Sequence, residues 1–280
     1  MKIYNCFPGG KCKALTMSYD DGVLQDERLI RIFDKYGIKG TFNINAGLIG
    51  SPNRKFKIPK ENIKEMYKDH EIATHSYTHP TIARIPLVDA AREILQDREV
   101  LEEITGGLVR GHAYPMGSYS EDIKVLFKQI GIAYGRVVEP KSGTESYALP
   151  DDPLEWHPTC HHNDPQLMEK GQWFLEYKSI QYLRLMYVWG HSHEFDKDNN
   201  WNRIEAFCRL MGGHDEIWYA TNIEIIDYLE VLKRLKFSGN GRCVYNPSAQ
   251  SAWLMVDDEK IVEIAGGAYV NLEEESNNAD

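Results

Sequence analysis

The sequence predicts an α/β fold in which parallel strands close, or nearly close, into a barrel. Three observations carry that reading. Short apolar runs alternate with amphipathic helical stretches over most of the 280 residues. The helical stretches begin and end on recognisable capping and stop residues. Carboxylates and histidines gather where apolar runs end, as they do when a β/α barrel presents its chemistry at the C-terminal mouths of its strands. A doubly wound open sheet is the alternative.

The element best marked is Leu15-Thr16-Met17-Ser18-Tyr19-Asp20-Asp21-Gly22, alternating apolar residues that run into two acids and a glycine. It reads as a buried strand over 14–18 ending in a turn. Six further strands are expected at 41–44, 71–74, 112–114, 134–138, 185–189 and 217–220. Helices are expected between them: 26–36 before Gly37, 87–105 before Gly106-Gly107, 120–130 opening on Ser120, 201–211 before Gly212-Gly213, and a long one from Thr221 to about 236. After Phe237-Ser238-Gly239-Asn240-Gly241 the texture changes. Segments at 242–245, 252–256, 261–264 and 268–271, joined by Asn-Pro-Ser, Asp-Asp and Gly-Gly turns, predict a small antiparallel β appendage. The expected organisation is a catalytic domain over 1–236, a β appendage packed on it over 237–272, and a disordered acidic tail over 273–280.

Composition is that of a soluble enzyme, 42% hydrophobic and 26% charged. A net charge of −10 argues against nucleic acid or an anionic membrane as the partner. The N-terminal residues contain no apolar core of a signal peptide and are broken by Pro8-Gly9-Gly10, and no apolar run is long enough to span a bilayer. The five scattered cysteines read as free thiols, with Cys6 and Cys12 near enough to pair. The cytoplasm is the expected compartment. Oligomeric state is not legible.

The chemistry lies in the spacing of a few residues. Asp20 and Asp21 are delivered together at a strand end, and adjacent side chains on extended backbone point apart, so the two acids are expected to have different jobs. His75-Ser76-Tyr77-Thr78-His79 has a spacing that suits two imidazoles on one metal. One Asp and two His with an open position make a hydrolytic zinc arrangement.

The stretch Thr16-Met17-Ser18-Tyr19-Asp20-Asp21-Gly22 resembles the Thr-Phe-Asp-Asp-Gly motif of the NodB-type polysaccharide deacetylases, carbohydrate esterase family 4. His75-Ser76-Tyr77-Thr78-His79 is similar to that family's His-[Ser/Thr]-x-x-His motif. The resemblance covers roughly residues 10 to 230 and implies a distorted (β/α)7 barrel of the polysaccharide deacetylase type. It further implies that Asp21, His75 and His79 hold a divalent metal, zinc first, with cobalt or nickel as alternatives, while Asp20 serves as general base. Ala113-Tyr114-Pro115-Met116-Gly117 resembles a variant of the third motif. By that likeness the Met116 N–H is an oxyanion donor, and Tyr114 and Pro115 either touch substrate or pack the rim. The arginine that braces the catalytic aspartate in the family is absent from its usual place, and Arg136, at the end of the next strand, is the expected replacement, Arg110 lying too early.

Leu185-Met186-Tyr187-Val188-Trp189-Gly190-His191 resembles the family's last motif, which makes His191 the expected general acid, with His193 as competitor and Glu194 as an orienting carboxylate. Where the family places an aspartate and a pocket tryptophan, this chain has only Trp156, expected to stack on a sugar or acetyl group. His161 or His162 is expected at the cleft wall, and a second metal site at Cys160-His161-His162 lacks an obvious carboxylate. The function implied is metal-dependent removal of N-acetyl groups from amino sugars of an acetylated carbohydrate. Hydrolysis of a small cyclic amide, acetyl-xylan esterase activity and a catalytically weak carbohydrate-binding relative stand as alternatives.

Overall fold

The structure, a computed structural model, describes residues 1–50 and 57–273. The expected tail lies outside the described residues from 274 onward. Strand β1 (Ile3–Cys6) leads through a tight turn to β2 (Lys13–Asp20), followed by β3 (Gly40–Ile44), β4 (Glu71–Thr74), β5 (Gly111–Ala113), β6 (Tyr134–Arg136), β7 (Cys160–His161), β8 (Arg184–Gly190) and β9 (Ile217–Tyr219). From β2 to β9 these form one parallel sheet in the order β6-β5-β4-β3-β2-β8-β7, with β9 also paired to β2. At the open side a single parallel bridge, Arg136 to Trp156, ties β6 to the segment that runs on into β7. The sheet therefore curls into the half-barrel of an α/β fold.

The strands expected from sequence are all present, and β7 makes the parallel sheet eight-stranded rather than seven. Two residues, Cys-His, give no alternation to read. Strand β2 is the hub because both its faces are covered. Leu15, Met17 and Tyr19 pack among Leu29, Phe33 and Phe42, while Thr16 and Ser18 face a polar interior. There the Thr16 hydroxyl donates to Asn222 Oδ1 at 2.8 Å, and Asn43 Nδ2 donates to Ser18 Oγ at 2.9 Å. Every strand residue of β2 is buried, which fixes where its C-terminal acids emerge.

The helices are α1 (Asp26–Lys35), α2 (Lys60–Met66), α3 (Leu87–Thr105), α4 (Glu121–Gln129), α5 (Leu167–Glu176), α6 (His193–Lys197), α7 (Trp201–Met211) and α8 (Asn222–Arg234). The capping signals operate as the sequence implies. Ser120 accepts from the Ile123 N–H at the start of α4, and Thr221 with Glu224 closes a capping box on α8. Gly106 ends α3 at φ 77°, a left-handed stop that glycine takes without penalty. Helices α2, α5 and α6 were not expected. The first and last are short, and Gly171 within α5 breaks the helical sequence pattern where the helix packs close to Met211.

The C-terminal segments are antiparallel, as their alternation implies. Strands β10 (Lys236–Phe237), β11 (Cys243–Tyr245) and β14 (Tyr269–Asn271) form one small sheet. Strands β12 (Ala252–Val256) and β13 (Lys260–Ile264) form another, to which β1 contributes the third strand. The two ends of the chain therefore meet in one sheet. Tyr228 of α8 secures it, donating to the Cys6 carbonyl at 2.6 Å and accepting from the Trp253 N–H at 3.1 Å. Among the described residues no helix is long and apolar enough to cross a membrane.

Candidate active site

The C-terminal end of β2 delivers both acids, though not by the alternation expected of extended chain. Asp20 is the last strand residue, and Asp21 turns the backbone into the left-handed region at φ 85°. Its N–H donates to the Asn43 carbonyl at 2.9 Å. Gly22 continues at φ 59°, with Ile44 Cγ2 only 2.9 Å from where a Cβ would stand. This bend, not a strand pleat, separates the two carboxylates. Among the described residues, seven non-glycine positions have positive φ, and Asp21, Ser76, His79 and Met116 are four of them. Such strain persists only where its surroundings over-determine it, and here it collects at one rim.

The Asp20 carboxylate is buried and split in its contacts. Oδ1 accepts from Asn43 Nδ2 at 2.8 Å and from the Arg136 guanidinium. Oδ2 faces two imidazoles, His75 Nε2 at 3.8 Å and His191 Nε2 at 3.9 Å. Burial pushes the acid's pKa up, but Arg136, His75 and His191 overcome it and hold the carboxyl well below its usual range. Arg136 is fully buried, and its guanidinium carbon lies 4.6 Å from the Trp189 ring centroid. Arg110 points elsewhere, to Asp227 on α8.

Strand β4 ends at Thr74 and passes into the loop carrying His75 and His79. His75 Nδ1 lies 2.7 Å from the Ala113 carbonyl, which assigns its proton to Nδ1 and leaves the Nε2 lone pair facing Asp20 and Asp21. Burial brings its pKa down to about 4 against the pull of the two aspartates, so the ring is neutral, the form that ligates metal. Asp21, His75 and His79 each offer a ligand atom, all within 4.8 Å of one another. That donor set fits a divalent ion. Two buried groups fix the loop. Asp97 accepts from the Ala46 N–H at 2.6 Å and the His75 N–H at 3.0 Å, and Asn45 Nδ2 donates to the His75 and Ser76 carbonyls. Lys57 donates to the Asp21 carbonyl, and its ammonium lies 3.6 Å from Asp21 Oδ1.

The opposite wall comes from β8 and α6. His191 leaves the strand end with Nε2 toward Asp20, while Nδ1 lies 3.5 Å from Glu194 Oε1. Burial alone lowers its pKa, yet Glu194, Asp20 and Asp21 outweigh burial and hold it above the ordinary value. The other Glu194 oxygen, Oε2, stands 3.2 Å from His161 Nε2 and 3.0 Å from His162 Nε2. His162 is fully buried, stacked between Tyr19 (5.6 Å, 14°) and Phe195 (4.2 Å, 30°). Gly190 is required beside it, because a Cβ there would fall 2.0 Å from His162 Nδ1. Gly190→Ala should therefore destabilise the protein by about 1–3 kcal/mol, the cost of overpacking a ring that cannot move. Urea denaturation checks this, and a variant within error of wild type would show that the ring has room.

Of the two readings open for Tyr114 and Pro115 the structure takes rim packing, and the expected stacking of Trp156 on substrate is corrected. Tyr114 is buried, stacks on Phe127 (5.4 Å, 6°) and donates to the Leu154 carbonyl at 2.8 Å, so it packs the rim from behind. Trp156 is 1% exposed and sits edge-on to Tyr134 and Tyr187, unable to meet a sugar. Strand parity explains the first: Tyr114 follows His112 to the α4 side, and both rings meet Phe127. Pro115 is buried as well, while Met116 is 74% exposed at a left-handed bend. The half-exposed aromatic beside the site is Trp189, 4.7 Å from the His161 ring. His193 opens α6, its ring 5.4 Å from that of His191.

Several supporting residues carry a signal in the sequence. Asn43 interrupts the apolar strand Thr41-Phe42-Asn43-Ile44. Asp97 falls on the buried stripe of α3 with Ala90, Ile94 and Leu101, where an acid needs a partner. Asp26 opens α1 but is buried, accepting from Tyr67 at 2.7 Å and Ser192 at 2.5 Å, and so anchors the residue after His191. Burial raises its pKa to about 7.

Known proteins define the class to which this arrangement is related. The family model for polysaccharide deacetylase matches residues 8–135, a span that includes both aspartates and both loop histidines. A chitin deacetylase from Arthroderma benhamiae is 30% identical over 95 residues, 33% of this chain. The chain spans 24% of that relative's length. Among solved structures, a protein from Mycobacterium smegmatis described as a polysaccharide deacetylase superposes with a TM-score of 0.60 at 16% identity, covering 81% of this chain and 93% of the other. One so described from Pseudomonas aeruginosa PAO1 gives 0.58 at 16% identity, covering 79% and 92%. At these identities the two structures speak for the fold. The resemblance to the NodB-type polysaccharide deacetylases, read first from the motifs, holds.

Proposed function

We propose that this chain is a metal-dependent hydrolase that removes N-acetyl groups from the amino sugars of a polysaccharide or oligosaccharide. The observation that carries the reading is the convergence of Asp21, His75 and His79, with Asp20 Oδ2 3.8 Å from His75 Nε2 and 3.9 Å from His191 Nε2. Asp21, His75 and His79 would hold a divalent ion, zinc by the character of the ligands, which would supply Lewis acidity to the reaction. Asp20 Oδ2, kept ionised by Arg136, takes the proton of the attacking water. His191 Nε2, whose hold on its proton Glu194 strengthens, gives a proton to the departing amine. The Met116 N–H donates to the oxygen on which charge develops.

The test is acetate release from chito-oligosaccharides, peptidoglycan fragments, acetyl-xylan and small cyclic amides by zinc-loaded and cobalt-loaded protein. N-acetylated glycans are expected to be hydrolysed. His79→Ala should lose the activity together with the ion held by Asp21, His75 and His79. Turnover confined to acetyl-xylan or to cyclic amides, or a His79→Ala protein that retains as much metal as the wild type, would overturn this assignment.

A further inference from the structure

We propose that His161, His162 and Glu194 form a second divalent-cation site, separate from Asp21, His75 and His79. The three side chains offer ligand atoms that lie within 4.8 Å of one another. The carboxylate missing from the Cys160-His161-His162 segment is supplied from α6, beyond β8. Glu194 divides its oxygens: Oε1 faces His191 Nδ1 at 3.5 Å, and Oε2 faces the histidine pair at 3.0 and 3.2 Å.

Those short contacts draw the histidines and the carboxylate together electrostatically, but they are not well-aligned hydrogen bonds. Glu194 Oε2 and His162 Nε2 are both buried, and neither has a hydrogen-bond partner. A buried polar atom in that condition is costly, and a carboxylate lying out of line with the N–H of a ring it nearly touches is badly placed to relieve it. The same placement suits three lone pairs that converge on a common centre. The rings are also held. His162 is gripped by Tyr19, Phe195 and Gly190, and His161 stands edge-on to Trp189. His161 Nδ1 accepts the Asn163 N–H at 3.1 Å, and ligation through Nε2 gives up that contact. One neutral hydrogen bond is small beside zinc–imidazole bonding.

Two imidazoles and one carboxylate make a borderline ligand set that selects zinc over calcium or magnesium, which take oxygen ligands. His161 and Glu194 keep side-chain exposures of 27% and 23%, which leaves a path for an ion to reach the cluster. This inference is independent of the deacetylase reading. It asks only that the cluster bind an ion.

The experiment strips the protein with a chelator, dialyses it against zinc chloride at neutral pH, washes it with dilute citrate and measures retained zinc by elemental analysis. The wild type should retain two equivalents, His161→Ala one, His79→Ala one, and the double variant none. Equal retention by the wild type and His161→Ala, whether of two equivalents or of one, overturns the second site. Far-UV circular dichroism checks folding. Should His161→Ala be unfolded, Glu194→Gln gives the same reading, with one equivalent expected and two overturning the site.

Discussion

Asp20→Asn should keep its divalent ion and lose turnover by about 10²–10⁴-fold, the effect of removing a general base. The geometry separates this carboxylate from the ligand set. Asp20 Oδ1 is occupied by Asn43 and Arg136, and Oδ2 stands 3.8 Å from His75 Nε2 and 3.9 Å from His191 Nε2. Those gaps are too long for hydrogen bonds and wide enough for a water oxygen to bridge. An asparagine preserves the carbonyl that accepts from Asn43 and Arg136, so the pocket should stay assembled while its proton acceptor is gone. Elemental analysis and acetate release on the same preparation separate the two roles. An Asp20→Asn protein without metal would make Asp20 a ligand, and one with wild-type turnover would move the base elsewhere.

What could be read before the structure was whatever depends on local pattern. β2 announces itself because it is buried on both faces and ends in Asp20-Asp21-Gly22. His75 and His79 announce themselves by spacing. The helix ends at Gly106 and Thr221 follow from backbone chemistry that acts within a few residues. What could not be read depends on where distant segments meet. Glu194 serves three imidazoles only because α6 starts immediately after β8 and folds back over β7, an encounter no window of sequence contains. Asp97 holds the His75 loop across the whole of β4 and half of α3. Trp156 and Tyr114 failed as substrate contacts for a different reason. Residue type suggested an aromatic wall, but direction decides, and direction is set by the pairing of both segments with β6.

Arg136 is where these two kinds of information join. Its position at the end of β6, after Gly135, made it the replacement for the arginine missing from the third motif, and its guanidinium does lie on Asp20. Both partners are buried, so Arg136→Met leaves an unpaired carboxylate in the interior, a loss expected to cost about 3–5 kcal/mol. The pH dependence of that loss has a definite sign. Asp20 is depressed in the folded protein, so the stability it contributes is present above the ordinary aspartate pKa, near 3.9, and is lost as pH falls through the depressed value. The gap between wild type and Arg136→Met should therefore be widest at neutral pH and narrow in acid. In turnover, the same substitution lets the Asp20 pKa rise, so the acid limb of the pH–rate profile should move to higher pH while metal content stays constant. Arg136→Lys keeps the charge and should recover part of both effects, which a purely steric role for the arginine would not allow. Denaturation curves at neutral and acid pH that differ equally from wild type, together with an unmoved acid limb, would mean that Arg136 packs against Trp189 without governing the base.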